Sequence, residues 1–158
     1  MRVSFDLDEV LFVSPEKYET EAPPVFPLSI LFPERLRKGT VSLIRTLQQE
    51  DFEVWVYTSS FRAGLYIRAL FRCYGIHFDG IINGHRHRNE VQGRRTGILP
   101  SKFPGFYRIS LHIDDEDMVI ANSKIYGFRA MKVSGPDKDW ADKVLKEARR
   151  IRKLEKGG

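Results

Sequence analysis

The sequence is short of several features, and each absence excludes a class of protein. One cysteine, Cys73, among 158 residues excludes an internal disulfide framework. No stretch approaches the roughly 20 consecutive apolar residues that a membrane-spanning helix needs. No charged leader with an apolar segment precedes the apolar run from Val3 to Phe12. We therefore expect a cytoplasmic protein without a membrane partner.

The composition is that of a folded, moderately basic protein. Hydrophobic residues make up 42% of the chain and aromatic residues 12%, which is enough apolar surface for the core of one domain and excludes a disordered chain. The formal net charge of +5 favours anionic partners such as phosphates or nucleic acid. Much of this charge lies over residues 143–156, where apolar residues recur at helical spacing. A surface helix accounts for that segment, so the charge supports nucleic acid only weakly.

Short apolar segments alternate with helical patterns. Five segments rich in β-forming residues predict strands at 2–7, 53–57, 80–82, 109–113 and 129–133. Helical patterns lie between or after them, at 39–50, 61–74, 117–126 and 140–154. The alternation predicts an α/β, three-layer Rossmann-like fold: a mainly parallel sheet of about five strands with helices on both faces. Ligands of such folds gather beyond the carboxyl ends of the strands.

Two segments interrupt this alternation. Residues 13–38 contain five prolines, too many for a regular element, and predict a flap or loop. Residues 83–104 are polar and basic, with glycines and prolines that break regular structure, and predict a long loop. We expect both segments to belong to one domain that spans residues 1–158.

Acidic side chains end two of the predicted strands. Asp6 and Asp8 leave the first strand two residues apart and point the same way. Crowded carboxylates repel each other unless a cation neutralises them or one keeps a proton, and both conditions suit catalysis. Asp114 and Asp115 end the fourth predicted strand and offer oxygen ligands for Mg²⁺. The alternative for this second pair is capping of the helix that follows.

Hydroxyl and cationic side chains occupy two further strand-end positions. Thr58 and Ser59 follow the second predicted strand, where a phosphoryl oxygen could accept their hydrogen bonds. Lys102 follows the basic segment and carries a compact positive charge, with Arg94 and Arg95 as competitors for the same role.

This ordered set resembles the four motifs of the haloacid dehalogenase (HAD) superfamily, over residues 3–133. The matching residues, in motif order, are Asp6-x-Asp8, Thr58, Lys102 and Asp114-Asp115. Larger members of the superfamily carry a cap domain between motifs, for which this chain has no room. The resemblance thus implies a capless, single HAD-like core domain.

The resemblance also implies a chemistry, that of a Mg²⁺-dependent phosphomonoesterase with an aspartyl-phosphate intermediate. Asp6 would be the nucleophile and Asp8 the general acid and base, while Lys102 and either Thr58 or Ser59 would bind phosphate. The metal ligands would be Asp6, the backbone carbonyl of Asp8, Asp114 and, directly or through other ligands, Asp115. An uncapped site would admit a phosphorylated small molecule or polymer end. A non-catalytic phosphate- or nucleic-acid-binding module and a phosphotransferase are the alternative functions.

Overall fold

A computed structural model describes residues 1–93, 97 and 99–157. Five strands form one sheet with the order β3-β2-β1-β4-β5, and every neighbouring pair is parallel. The strands are β1 (Arg2–Phe5), β2 (Glu53–Tyr57), β3 (Gly80–Ile82), β4 (Leu111–Asp114) and β5 (Ala130–Lys132). The predicted α/β, Rossmann-like architecture is confirmed, including the number of strands and their direction.

Within the described residues, six α-helices accompany the sheet. They are α1 (Leu28–Leu31), α2 (Thr40–Gln49), α3 (Gly64–Arg72), α4 (Gly84–His87), α5 (Asp117–Tyr126) and α6 (Trp140–Gly157). A π-helical turn at Arg88–Gln92 and a 3-10 turn at Pro104–Tyr107 complete the helical structure of the described residues. None of these helices is long and apolar enough to cross a membrane.

The period of two along each strand gives the sheet two different faces. On one face, Val3 and Phe5 of β1 join the main apolar core with residues of α2, α3 and α6. On the other face, Tyr57 and Ile82 join a smaller cluster with Tyr107 and its neighbours. Polar residues of β1 and β4 share this second face, since they alternate with the core residues.

The two interrupting segments are only partly irregular. Residues 13–38 contain α1, and isolated bridges outside the sheet join Phe12 to Leu36 and Thr20 to Arg37. Residues 83–104 hold α4 and the π-helical turn. Short helical turns therefore occur where the sequence predicts a loop, because Asn83 caps α4 by accepting a hydrogen bond from the Arg86 amide.

Candidate functional site

Three of the candidate residues, Asp6, Thr58 and Asp114, lie at the carboxyl edge of the sheet. Asp6 directly follows β1 and its amide donates to the Ile113 carbonyl at 2.9 Å, which fixes it beside the end of β4. Asp114 is the last residue of β4, and Thr58 follows β2, the other neighbour of β1. Parallel strands place all their carboxyl ends at one edge. Residues more than 100 positions apart in sequence therefore become neighbours.

Lys102 is buried between two of the acidic residues. Its Nζ atom lies 2.9 Å from Asp6 Oδ2 and 2.6 Å from Asp114 Oδ2, and only 1% of its side chain is exposed. Burial acts to lower the pKa of Lys102, but the two carboxylates outweigh burial and raise it. The lysine thus stays charged. Its competitors Arg94 and Arg95 lie outside the described residues.

Two further buried polar side chains, His112 and Ser4, extend the contacts of Asp114. Asp114 Oδ2 lies 2.8 Å from His112 Nε2, and His112 Nδ1 lies 2.8 Å from Ser4 Oγ. Asp114 Oδ1 accepts a hydrogen bond from the Glu116 amide at 2.9 Å. Burial acts to raise the pKa of Asp114, but His112 and Lys102 outweigh it and hold the pKa at about 2. Asp114 is therefore the most firmly ionised carboxyl group of the site.

The other two carboxyl groups of the cluster, those of Asp6 and Asp115, have raised pKa values. Burial raises the pKa of Asp6, and Lys102 only partly opposes that rise. Burial and the charge of Asp114 raise the pKa of Asp115 to about 6. Burial is the main cause of both rises, and the sharing of one ammonium group among three carboxylates adds to it.

The cluster fits a divalent cation. Ligand oxygens of Asp6, Asp114 and Asp115 all lie within 4.8 Å of one another. Asp6 Oδ1 is buried and has no hydrogen-bond partner among the described residues. A buried oxygen without a donor is costly, and a cation would satisfy it and neutralise the excess charge. Asp6, Asp114 and Asp115 are thus the residues that would hold Mg²⁺.

Asp114 and Asp115 do not cap the helix that follows, which was the alternative for this pair. Helix α5 begins at Asp117, its N-cap residue is Glu116, and no side chain caps it. The two aspartates precede that position and face the site instead.

Asp8 lies apart from the buried cluster. Its side chain is exposed, and its Oδ2 accepts a hydrogen bond from Arg62 Nη1 at 2.9 Å. Arg62 also lies 3.6 Å from Glu34 of the 13–38 segment, and its guanidinium covers the Phe12 ring at 5.6 Å. These residues border an open cleft of about 350 Å³. Arg62 thus fixes Asp8 at this cleft, a contact that the sequence did not reveal.

Thr58 and Ser59 occupy different environments. Thr58 is buried, and its Oγ1 accepts a hydrogen bond from the Ser60 amide at 3.1 Å, which leaves its hydroxyl hydrogen to donate. Ser59 is exposed. The hydroxyl nearer the strand is therefore the fixed one, and the other is free to turn towards a ligand.

Tyr57 ties the second face of the sheet to the 83–104 segment. Its hydroxyl lies 2.6 Å from His87 Nδ1 and accepts a hydrogen bond from the Phe103 amide at 2.8 Å. Phe103 follows Lys102, so this contact helps to place the lysine. The sequence analysis did not predict these contacts of Tyr57. The position of a tyrosine at the end of a strand, directly before hydroxyl residues, was the signal that could have indicated a role for it.

Comparisons with known proteins support the fold. No protein-family model matches the sequence, and no curated protein matches it. Among solved structures, the chain is similar to a predicted HAD-like family hydrolase from Porphyromonas gingivalis, with 13% identity, a TM-score of 0.52, and coverage of 94% of this chain and 97% of that chain. It is also similar to a HAD-superfamily hydrolase of subfamily IA from Geobacter sulfurreducens, with 15% identity, a TM-score of 0.54, and coverage of 86% and 90%.

A third similar structure is a chain of the Pnkp1/Rnl/Hen1 RNA repair complex. The identity is 15% and the TM-score 0.50, and the match covers 86% of this chain but 43% of that chain. These likenesses concern the backbone, since the identities are low. Together with the order of the strands and motifs, they show that this chain has the fold of the haloacid dehalogenase superfamily, as the sequence resemblance predicts.

Proposed function

We propose that the chain is a Mg²⁺-dependent phosphomonoesterase that forms an aspartyl-phosphate on Asp6. The observation that carries this proposal is the environment of the two carboxylate oxygens of Asp6. One of its oxygens contacts Lys102 at 2.9 Å, while the other is buried without a hydrogen-bond partner among the described residues. The Asp6 carboxylate is thus desolvated and oriented, as a carboxylate nucleophile must be, and its partnerless oxygen is the one that would hold the cation.

In the first step, an Asp6 oxygen attacks phosphorus and the bond from phosphorus to the leaving oxygen breaks. Asp8 donates a proton to that leaving oxygen. Lys102 and the hydroxyl of Thr58 or Ser59 hold the phosphoryl oxygens during the transfer. Bound Mg²⁺ would supply further neutralisation of the negative charge on the phosphoryl group.

In the second step, Asp8 removes a proton from water, and the water oxygen attacks phosphorus. The bond between Asp6 and phosphorus then breaks, which releases phosphate and restores both carboxyl groups. Asp8 suits this role because its side chain is exposed to water and because Arg62 fixes its orientation.

The test is release of inorganic phosphate from a panel of phosphate monoesters, with magnesium and with chelator. We expect release that requires magnesium and is abolished by Asp6→Asn. The matched control is Asp51→Asn, which changes an exposed aspartate in the turn before β2. Activity that survives Asp6→Asn in a folded protein would overturn the proposal. Transfer of phosphate to an added alcohol, in place of water, would assign a phosphotransferase instead.

A further inference from the structure

An exposed aromatic side chain stands beside the candidate phosphate site. Phe61 lies three residues after Thr58, and 55% of it is exposed. Three residues span at most about 10 Å, so its ring lies within reach of a group attached to a phosphate at Thr58. Phe61 belongs to neither apolar cluster of the described residues. Core packing therefore does not account for it.

Two nitrogen-bearing side chains border the Phe61 ring. The His85 ring meets it edge to face, with the centroids 4.6 Å apart and the planes at 77°. The Arg88 guanidinium lies over the ring, 5.4 Å from its centroid. Both residues are exposed. An aromatic ring interleaved with such groups is the arrangement that binds bases together with phosphates.

The backbone holds this aromatic platform, defined as Phe61, His85 and Arg88, in a fixed place. The Gly84 amide donates to the Ser60 carbonyl at 2.8 Å. A Cβ atom at Gly84 would lie 2.5 Å from the Ser59 carbonyl oxygen and 3.1 Å from the Phe61 ring, so only glycine permits this approach. The Asn83 side chain donates to the Arg62 carbonyl at 2.9 Å. The phosphate-binding turn and helix α4 thus form one unit.

We propose that this platform binds the base of a phosphorylated nucleotide, so that the substrate is a nucleoside monophosphate or the phosphorylated end of an oligonucleotide. This inference rests on the proposed function. Each base has a flat π face that stacks on phenylalanine irrespective of its identity. The guanidinium of Arg88 attracts phosphate oxygens or stacks on a second base. A sugar phosphate that has no base leaves the platform unused.

The experiment compares three substrates: adenosine 5′-monophosphate, a 3′-phosphorylated dinucleotide and ribose 5-phosphate. The wild type should hydrolyse the two substrates that carry bases with a higher kcat/KM than ribose 5-phosphate. Phe61→Ala should lower kcat/KM about tenfold for the substrates with bases and leave ribose 5-phosphate unchanged, whereas Phe61→Tyr should retain the preference. Leu65→Ala, which removes another exposed apolar side chain of the same region, is the matched control.

Loss of activity by the same factor for all three substrates, or no preference in the wild type, would overturn the inference. A larger effect on the dinucleotide than on the mononucleotide would assign the polymer end as the source of the base, and the reverse would assign the free nucleotide. Release of phosphate from none of these substrates and from no other member of the panel of phosphate monoesters would refute the proposed function alone. The platform is then tested by fluorescence anisotropy with a labelled, phosphorylated dinucleotide, where equal binding by Phe61→Ala and wild type refutes it and weaker binding by the variant supports it.

Discussion

Replacement of Lys102 by methionine is expected to destabilise the protein strongly in the absence of divalent cations. The Lys102 ammonium contacts Asp6 and Asp114 at 2.9 and 2.6 Å and is almost completely buried. Methionine is a flexible, unbranched apolar residue, so it fills much of the same space without the charge. Loss of one partner from a buried charged pair costs about 3–5 kcal/mol. For a domain of this size, that loss lowers Tm by roughly 10 °C.

The effect of Lys102→Met should depend on pH. Burial raises the pKa of Asp6 and Lys102 opposes that rise, so the variant places the folded-state pKa of Asp6 further above its unfolded value. A carboxyl group with a raised folded-state pKa destabilises the folded state increasingly as pH rises from its unfolded pKa to its folded pKa. The difference in Tm between variant and wild type is therefore largest near neutral pH and shrinks as pH falls towards the unfolded pKa of about 4.

The assay is thermal unfolding by circular dichroism with chelator, over a series of pH values. Lys138→Met serves as the control, because Lys138 is exposed and contacts only the exposed Glu19 through its ammonium in the described structure. We expect the control to keep the wild-type Tm. A Lys102→Met protein with an unchanged Tm at neutral pH would refute the reasoning, since it would show that the ammonium does not compensate the buried carboxylates.

Three further predictions concern magnesium binding, the contact between Arg62 and Asp8, and the packing of the sheet. Magnesium at one hundred times its Kd should raise the free energy of unfolding by about 2.7 kcal/mol. Asp115→Asn should weaken magnesium binding, as measured by calorimetry. Equal affinity of variant and wild type would contradict the assignment of Asp115 to the cation. Arg62→Ala should lower kcat roughly ten- to a hundredfold with little change in KM, because Asp8 loses the hydrogen bond from Arg62 that orients it. An effect on KM alone would mean that Arg62 binds substrate. Gly80→Ala should cost about 1–3 kcal/mol in urea unfolding, because its Cβ would lie 2.2 Å from the Trp55 ring. Gly64→Ala is the control, because its Cβ would meet Ile81 Cγ2 at an ordinary contact distance of 4.0 Å.

The sequence predicts the strands well because their signal is local. Each strand is a short run of apolar, β-forming residues, and the structure places all five within two or three residues of the predicted bounds. The edge at which Asp6 and Asp114 meet follows from the parallel order alone. The location of Asp6, Lys102, Asp114 and Asp115 in one cluster agrees with that expectation. Their catalytic roles stay a prediction, as do the single capless domain and the cytoplasmic location.

Contacts between distant polar residues could not be predicted in the same way. Ser4 and His112 are 108 positions apart, and only the register of β1 against β4 brings them together. The alternation of each with apolar residues showed that both are polar positions on a strand, but not which residue faces which. The contact between Arg62 and Asp8 depends on the path of a loop, for which periodicity gives no information. Side-chain partners of this kind require coordinates.

The central position of β1 sets the order in which the molecule can assemble. Its two partners are β2, which follows within the first 57 residues, and β4, which begins at Leu111. At about 5–20 residues per second, the roughly 100 residues that separate β1 from β4 take about 5–20 s to synthesise. During that interval one edge of an apolar strand stays open to unwanted pairing. Asp6 meanwhile has neither Lys102 nor Asp114 beside it, so the candidate site forms only after β4 has joined β1.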